Sequence, residues 1–278
     1  MYDNYRPPQM TLLPTVVKNL LIINGIFFLA TIAFQNQFDL TDYLGLHYPT
    51  STKFRIYQFV TYMFMHGSIE HIFFNMFALW MFGYAIENYW GPKRFLNYYL
   101  FCGLGAAATH YAIYYFQVRD VLAPVNAYLD HPTLSALPGV MDHLQPLDPR
   151  NISDSLRTAL SHYNSAGSPE EQVRASVELL TQYRIDFLNA PVVVGASGSI
   201  FGILLAFGMM FPNTMIYMYF FLPMRAKYFV ILYGAIELFS GLRAVPGDNV
   251  AHFAHLGGML FGLILLLYWR NRSGRMYH

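Results

Sequence analysis

Four side chains, far apart in the chain, could together open a carbonyl. Ser197 stands in the run Gly195-Ala196-Ser197-Gly198, His255 lies near the start of a late apolar stretch, and His71 and Asn75 lie on an early one. A serine hydroxyl is a weak nucleophile until a base takes its proton, and histidine has the pKa for that task near neutral pH. Ser197 is therefore the candidate nucleophile and His255 the candidate base. Attack on a carbonyl builds an oxyanion that needs donors already in place. The Ser197 backbone N–H at the start of a helix could supply one, and His71 and the Asn75 side-chain amide others. His71 and Asn75 are four apart and share a helix face.

Each of these residues also has a plainer reading. A serine beside glycine in an apolar helix usually packs, and Gly-x-Ser-Gly alone is a weak signal. His71 could be a hydrogen-bonder between helices. His66 and His252 read as structural or interfacial rather than catalytic. Glu237 stays open between stabilising an imidazolium, pairing with a neighbouring helix and lining the path by which a substrate comes in.

The elements that must position these groups are membrane helices. Of 278 residues, 55% are hydrophobic and only 12% charged, against roughly a quarter charged in soluble domains. That composition excludes an ordinary cytosolic enzyme. With 17 Lys+Arg against 16 Asp+Glu there is no basic surplus for a run of phosphates, so nucleic acid is not an expected partner. The single cysteine, Cys102, rules out an internal disulfide and a Cys-rich zinc site and reads as packing.

Six apolar stretches approach the roughly 20 residues that cross a bilayer. They run from about Leu20 to Phe34, Ile69 to Tyr84, Phe95 to Phe116, Val192 to before Pro212, Tyr228 to Leu242 and His252 to Trp269. Arg6, Pro7 and Pro8 before the first stretch are unlike the basic start of a cleaved signal peptide. Nine Lys/Arg (Arg6, Lys18, Lys93, Arg94, Arg225, Lys227, Arg270, Arg272, Arg275) fall on one side of six alternating spans. Three (Lys53, Arg55, Arg243) fall on the other. Both termini are then cytoplasmic, and a bacterial inner membrane is the expected site.

Residues 117–190 interrupt this pattern with 5 Arg and 9 Asp+Glu. Ser168-Pro169-Glu170-Glu171 is a capping box with proline at the first helical position, and Val173, Val177, Leu180 and Tyr183 follow at helical spacing. Helices are expected near Ser153–Tyr163 and Pro169–Leu188. The expected fold is all-α: a polytopic bundle of six transmembrane helices with a folded helical extracytoplasmic insert. It divides into spans 1–3 in 1–116, the insert in 117–190 and spans 4–6 in 191–278. The acidic insert suggests a docking or lid role. All the chemistry-bearing groups then face the outer side, and the strips Gly198-x-x-x-Gly202 and Gly258-x-x-x-Gly262 would let two helices approach closely enough to join His255 to Ser197.

Gly195-Ala196-Ser197-Gly198, the run Ala254-His255-Leu256-Gly257-Gly258-Met259-Leu260-Phe261-Gly262, and His66, His71 and Asn75 upstream resemble the rhomboid family of intramembrane serine proteases. The resemblance covers all six spans, in the family's order. It implies that Ser197 and His255 form a catalytic dyad and that His71 and Asn75 border the oxyanion hole. It also implies that Phe201 stacks on the catalytic imidazole and that Glu87 is structural. Cleavage of single-span membrane protein substrates, near the outer end of a membrane segment that unwinds easily, is then the expected activity. No cofactor and no metal are implied. The chain departs from the family in reading Tyr57-Gln58 where many members have Trp-Arg, and in its long third connection. Two other classes stay in view. One is an inactive rhomboid-like protein that binds transmembrane helices. The other is a metal-dependent membrane protein using His66, His71, His252 and His255, although no His-Glu-x-x-His occurs.

Overall fold

A computed structural model describes residues 11–147, 149–218, 222–243 and 251–273. Arg6, Pro7, Pro8 and Arg275, used above for orientation, lie outside the described residues. The chain forms two compact units. The first takes the described residues of Met1–Leu44, Phe59–His110 and Val193–His278, and the second takes Gly45–Gln58 and Tyr111–Val192.

Helices α1 (Thr15–Phe34) and α2 (Ile69–Trp90) open the first unit, followed by the part of α3 (Pro92–Asp130) up to His110. Buried Glu87 ties α1 to α2 by accepting the Val16 and Val17 N–H groups at 2.8 and 2.7 Å, which satisfies two donors at the start of α1. Then come α6 (Ser197–Met210), α7 (Ala226–Arg243) and α8 (His252–Ser273). Between α6 and α7 the strands β1 (Met215–Met218) and β2 (Leu222–Arg225) pair antiparallel, Met215 opposite Arg225. No sequence signal predicted this hairpin.

Among the described residues three helices are long and apolar enough to cross a membrane: Thr15–Phe34, Ile69–Trp90 and His252–Asn271. The protein is thus a helical membrane protein. α6 is apolar but only 14 residues long. Large apolar side chains face outward, among them Ile26 and Leu29 on α1 and Ile231 and Phe239 on α7. That is the pattern of a surface solvated by lipid.

Helix α6 packs closely on α8. A Cβ at Gly258 would overlap the Gly198 carbonyl oxygen, so only glycine allows this approach. The rest of the two glycine strips also meets α3, although a Cβ at Gly202 would come within 3.1 Å of the Gly258 carbonyl oxygen on α8 as well. A Cβ at Gly202 would overlap the Cys102 sulfur, and one at Gly262 the Tyr98 hydroxyl, while that hydroxyl donates to the Gly202 carbonyl at 2.9 Å. Cys102 is fully buried, as packing requires.

In the second unit α3 continues from Tyr111 to Asp130 and is joined by α4 (Asp154–Ser165) and α5 (Pro169–Asn189). The third apolar stretch was expected to end near Phe116, but the helix does not stop there. Val118, Val121, Leu122 and Val125 fall on one face and pack against Leu156, Leu180, Tyr183 and Phe187. Arg119 and Asp120, the first charges past that point, are exposed on the same helix. The capping box is formed: the Ser168 hydroxyl accepts the Glu171 N–H at 3.2 Å, and the Glu171 carboxylate accepts the Ser168 N–H at 3.2 Å. Ser153 caps α4 through the Leu156 N–H at 3.1 Å. Gln58 is buried in the 45–58 segment. It accepts the Arg55 N–H at 3.0 Å and donates to the Lys53 carbonyl at 3.0 Å.

Candidate active site

The site is assembled in the first unit from the starts of α2, α6 and α8. Ser197 is the first residue of α6, preceded by Gly195 at φ +116°, a conformation that only glycine adopts without strain. The Gly195 N–H donates to the Tyr62 carbonyl at 2.8 Å, which fixes the turn that presents the serine. His255 lies one turn into α8. Its Nε2 is 2.8 Å from the Ser197 Oγ, so two residues 58 apart in sequence are in hydrogen-bond contact. His255 is buried, and its ring stacks on Phe201 at 4.3 Å and 5°. Phe201 is one turn beyond Ser197 on α6, so the helix that carries the serine also holds the imidazole's face.

His71 and Asn75 reach the same place from α2. A Cβ on Gly195 would lie 2.7 Å from the His71 Nε2 and 3.7 Å from the Asn75 Nδ2, so both side chains lie against the backbone two residues before the serine. Ser68 caps α2 by accepting the His71 N–H at 3.1 Å. Asn75 is buried, and its Nδ2 has no hydrogen-bond partner among the described residues. The first N–H groups of α6 have no intrahelical partner, and Ala196 at the N-cap offers no side chain to take them. The four predicted residues are therefore neighbours.

His66 is packed edge-on against His71 at 4.9 Å. Burial, and then the neighbouring His71, hold its imidazole down at about 4, so it is neutral at pH 7. That suits a packing group better than a proton carrier.

One residue left open by the sequence comes to the centre. Glu237, buried on α7, places a single oxygen, Oε2, 2.6 Å from the His252 Nδ1 and 2.9 Å from the His255 Nδ1. Among the described residues these three form the one group of His, Cys or acidic side chains able to hold a metal ion, and neither His66 nor His71 belongs to it. The spacing is that of donors on an acceptor, because two ligands on one tetrahedral zinc lie ~3.3 Å apart. The available signals were a lone acid in an apolar stretch and two histidines three apart.

The rhomboid domain profile matches residues 53–118 and 173–272, more than half of the chain. The chain belongs to the rhomboid family. The match omits 119–172, all of which lies in the second unit. A curated relative, RHOMBOID-like protein 12, mitochondrial, of Arabidopsis thaliana, is 26% identical over 262 residues. The alignment covers 94% of this chain and 59% of that rhomboid relative, so the chain spans about three fifths of the relative's length.

Proposed function

We propose that this rhomboid is an intramembrane serine endopeptidase, hydrolysing a peptide bond near the outer end of a substrate's transmembrane segment. The observation that carries the reading is the 2.8 Å contact between the Ser197 Oγ and the His255 Nε2. In the first step the Ser197 proton passes to the His255 Nε2 as the Oγ–C bond forms and the carbonyl π electrons move onto oxygen. The Asn75 amide, His71 and the Ser197 N–H are the donors for that oxyanion. The imidazolium then protonates the leaving nitrogen as the C–N bond breaks. Water, deprotonated by the same imidazole, then attacks the acyl ester, and the imidazolium returns that proton to the Ser197 Oγ as the C–Oγ bond breaks.

The length of α6 supports chemistry at membrane depth. Fourteen residues rise only ~21 Å against a hydrocarbon core of ~30 Å, so with its far end at one interface the helix begins well below the other. We take α3, α6 and α7 as the remaining spans of a six-span fold, with both termini on the Lys/Arg-rich side and residues 117–190 as a water-facing insert. Single-span membrane proteins are the proposed substrates, drawn laterally from the lipid bilayer. The expected bacterial inner membrane draws no support from the relative, which is mitochondrial by name.

Ser197→Ala in purified, liposome-reconstituted protein should abolish cleavage of a fluorogenic single-span substrate and labelling by a fluorophosphonate. Retained turnover would refute the serine mechanism. Loss of turnover on chelation, with no labelling of the wild type, would favour the metal reading.

A further inference from the structure

We propose that Glu237 is the positioning residue for His255, so that this chain uses a Ser197–His255–Glu237 arrangement rather than a two-residue dyad, with His252 bracing the carboxylate. The proposal rests on the serine protease reading and deepens it.

The first observation is placement. Glu237 is the acid of α7, buried at 9% exposure, while its chain neighbours Ile236 and Leu238 are 48% exposed and face outward. A carboxylate in such a helix is costly unless matched, which makes its partners the question. Both partners are imidazoles of α8, three residues apart, and both approach through Nδ1. The second observation is that His255 is engaged on both edges. Its Nε2 meets the Ser197 Oγ at 2.8 Å and its Nδ1 is 2.9 Å from the Glu237 Oε2. An acceptor at Nδ1 selects the tautomer with the proton there, which leaves the Nε2 lone pair free for the serine proton.

The two histidines share one oxygen unequally. His252 Nδ1 has the aligned hydrogen bond at 2.6 Å. His255 Nδ1 is within ion-pair reach but has no aligned bond. That asymmetry suits a group that acts mainly when charge develops. Once Ser197 gives up its proton, His255 becomes an imidazolium with a buried N–H at Nδ1, and the Glu237 oxygen is the acceptor within reach. Catalytic hydrogen bonds that are poorly aligned at rest commonly tighten only along the reaction. Glu237 keeps its negative charge throughout and takes no proton. His252, bonded to the same oxygen, keeps the carboxylate from turning away toward lipid.

A purely structural account is available, in which Glu237 and His252 only tie α7 to α8. The two accounts separate in kinetics. Glu237→Gln keeps the size and an acceptor oxygen but removes the charge. In liposomes, kcat should fall by about 100-fold or more, with KM within about twofold, and the rate of fluorophosphonate labelling of Ser197 should fall with it. Glu237→Asp should recover part of the lost kcat. His252→Ala should lower the thermal midpoint yet keep kcat within about tenfold, because His255 retains the carboxylate. The inference is overturned if Glu237→Gln keeps kcat within about threefold of wild type while Ser197→Ala is inactive. It is also overturned if Glu237→Gln and His252→Ala lose stability and activity in equal measure. If the wild type neither cleaves nor labels, the protease reading itself has failed, and that result differs from both of the others.

Discussion

Two buried polar groups, one in each unit, show opposite habits. Asp186, in the second unit, has every nearby donor arranged around it. It accepts the Ser153 N–H at 2.8 Å and the Gln182 amide at 2.9 Å, and Gln182 also donates to the Ser153 hydroxyl at 3.2 Å. Asn75, in the first unit, is as deeply buried and leaves its Nδ2 with no acceptor. The closed network spends its hydrogen bonds on holding α5 to the segment before α4. The open donor lies against Gly195, two residues before Ser197.

The sharpest way to break this comparison is to remove the open donor. Asn75→Ala should lower kcat by roughly tenfold to a thousandfold, the scale of one lost oxyanion donor. The thermal midpoint should hold or rise, because no hydrogen bond to a described residue is lost from that nitrogen. An unchanged rate with a lower midpoint would make Asn75 a structural residue like Asp186. Steady-state cleavage and a thermal melt on the same preparation decide it.

The sequence made the helices and the chemical groups legible to different depths. Apolar runs located the long helices of the first unit, because membrane spans must be apolar, and the Ser168 box, a local signal, located the start of α5 in the second. The join between Ser197 and His255 was legible through the glycines and through the family resemblance. Gly258 faces Gly198 and Gly202 lies against the Gly258 carbonyl, but Gly202 also packs on Cys102 and Gly262 on Tyr98 of α3, since a small-residue strip does not name its partner. The continuation of α3 past Phe116 was hidden by charge on its outer face. Glu237 was visible as an oddity, but its partner lies on another helix and no periodicity relates the two. The β1–β2 hairpin lacks both alternation and a tight-turn pair, so nothing announced it.

The closed network should answer to mutation in the opposite way. Asp186→Ala strands the Ser153 N–H and the Gln182 amide together, and hydrogen bonds to a charged acceptor are worth about 1.5–3 kcal/mol. Hydrogen exchange along α4 and α5 in the full-length protein should report a loss of about 2–3 kcal/mol. The rate of fluorophosphonate labelling of Ser197 should stay within about twofold. A parallel collapse of labelling would show that Asp186 serves the site after all.

The smallest effect belongs to the capping box at the start of α5. Replacing a serine N-cap by alanine costs about 1 kcal/mol, so Ser168→Ala should speed exchange in the first turn of α5 without touching cleavage. The box carries its own pH signature. The N–H groups of Gly167 and then Ser168 hold the Glu171 carboxyl below its ordinary range. A group whose folded-state pKa is lowered contributes its stability above the unfolded value and loses it as pH falls through the folded one. Protection of the first turn of α5 should therefore weaken as the medium is acidified through the carboxylate range. In Glu171→Gln that dependence should vanish while the hydrogen bond from Glu171 N–H to Ser168 survives in the glutamine. If acid weakens the first turn equally in the wild type and in Glu171→Gln, the carboxylate is not what holds the box shut.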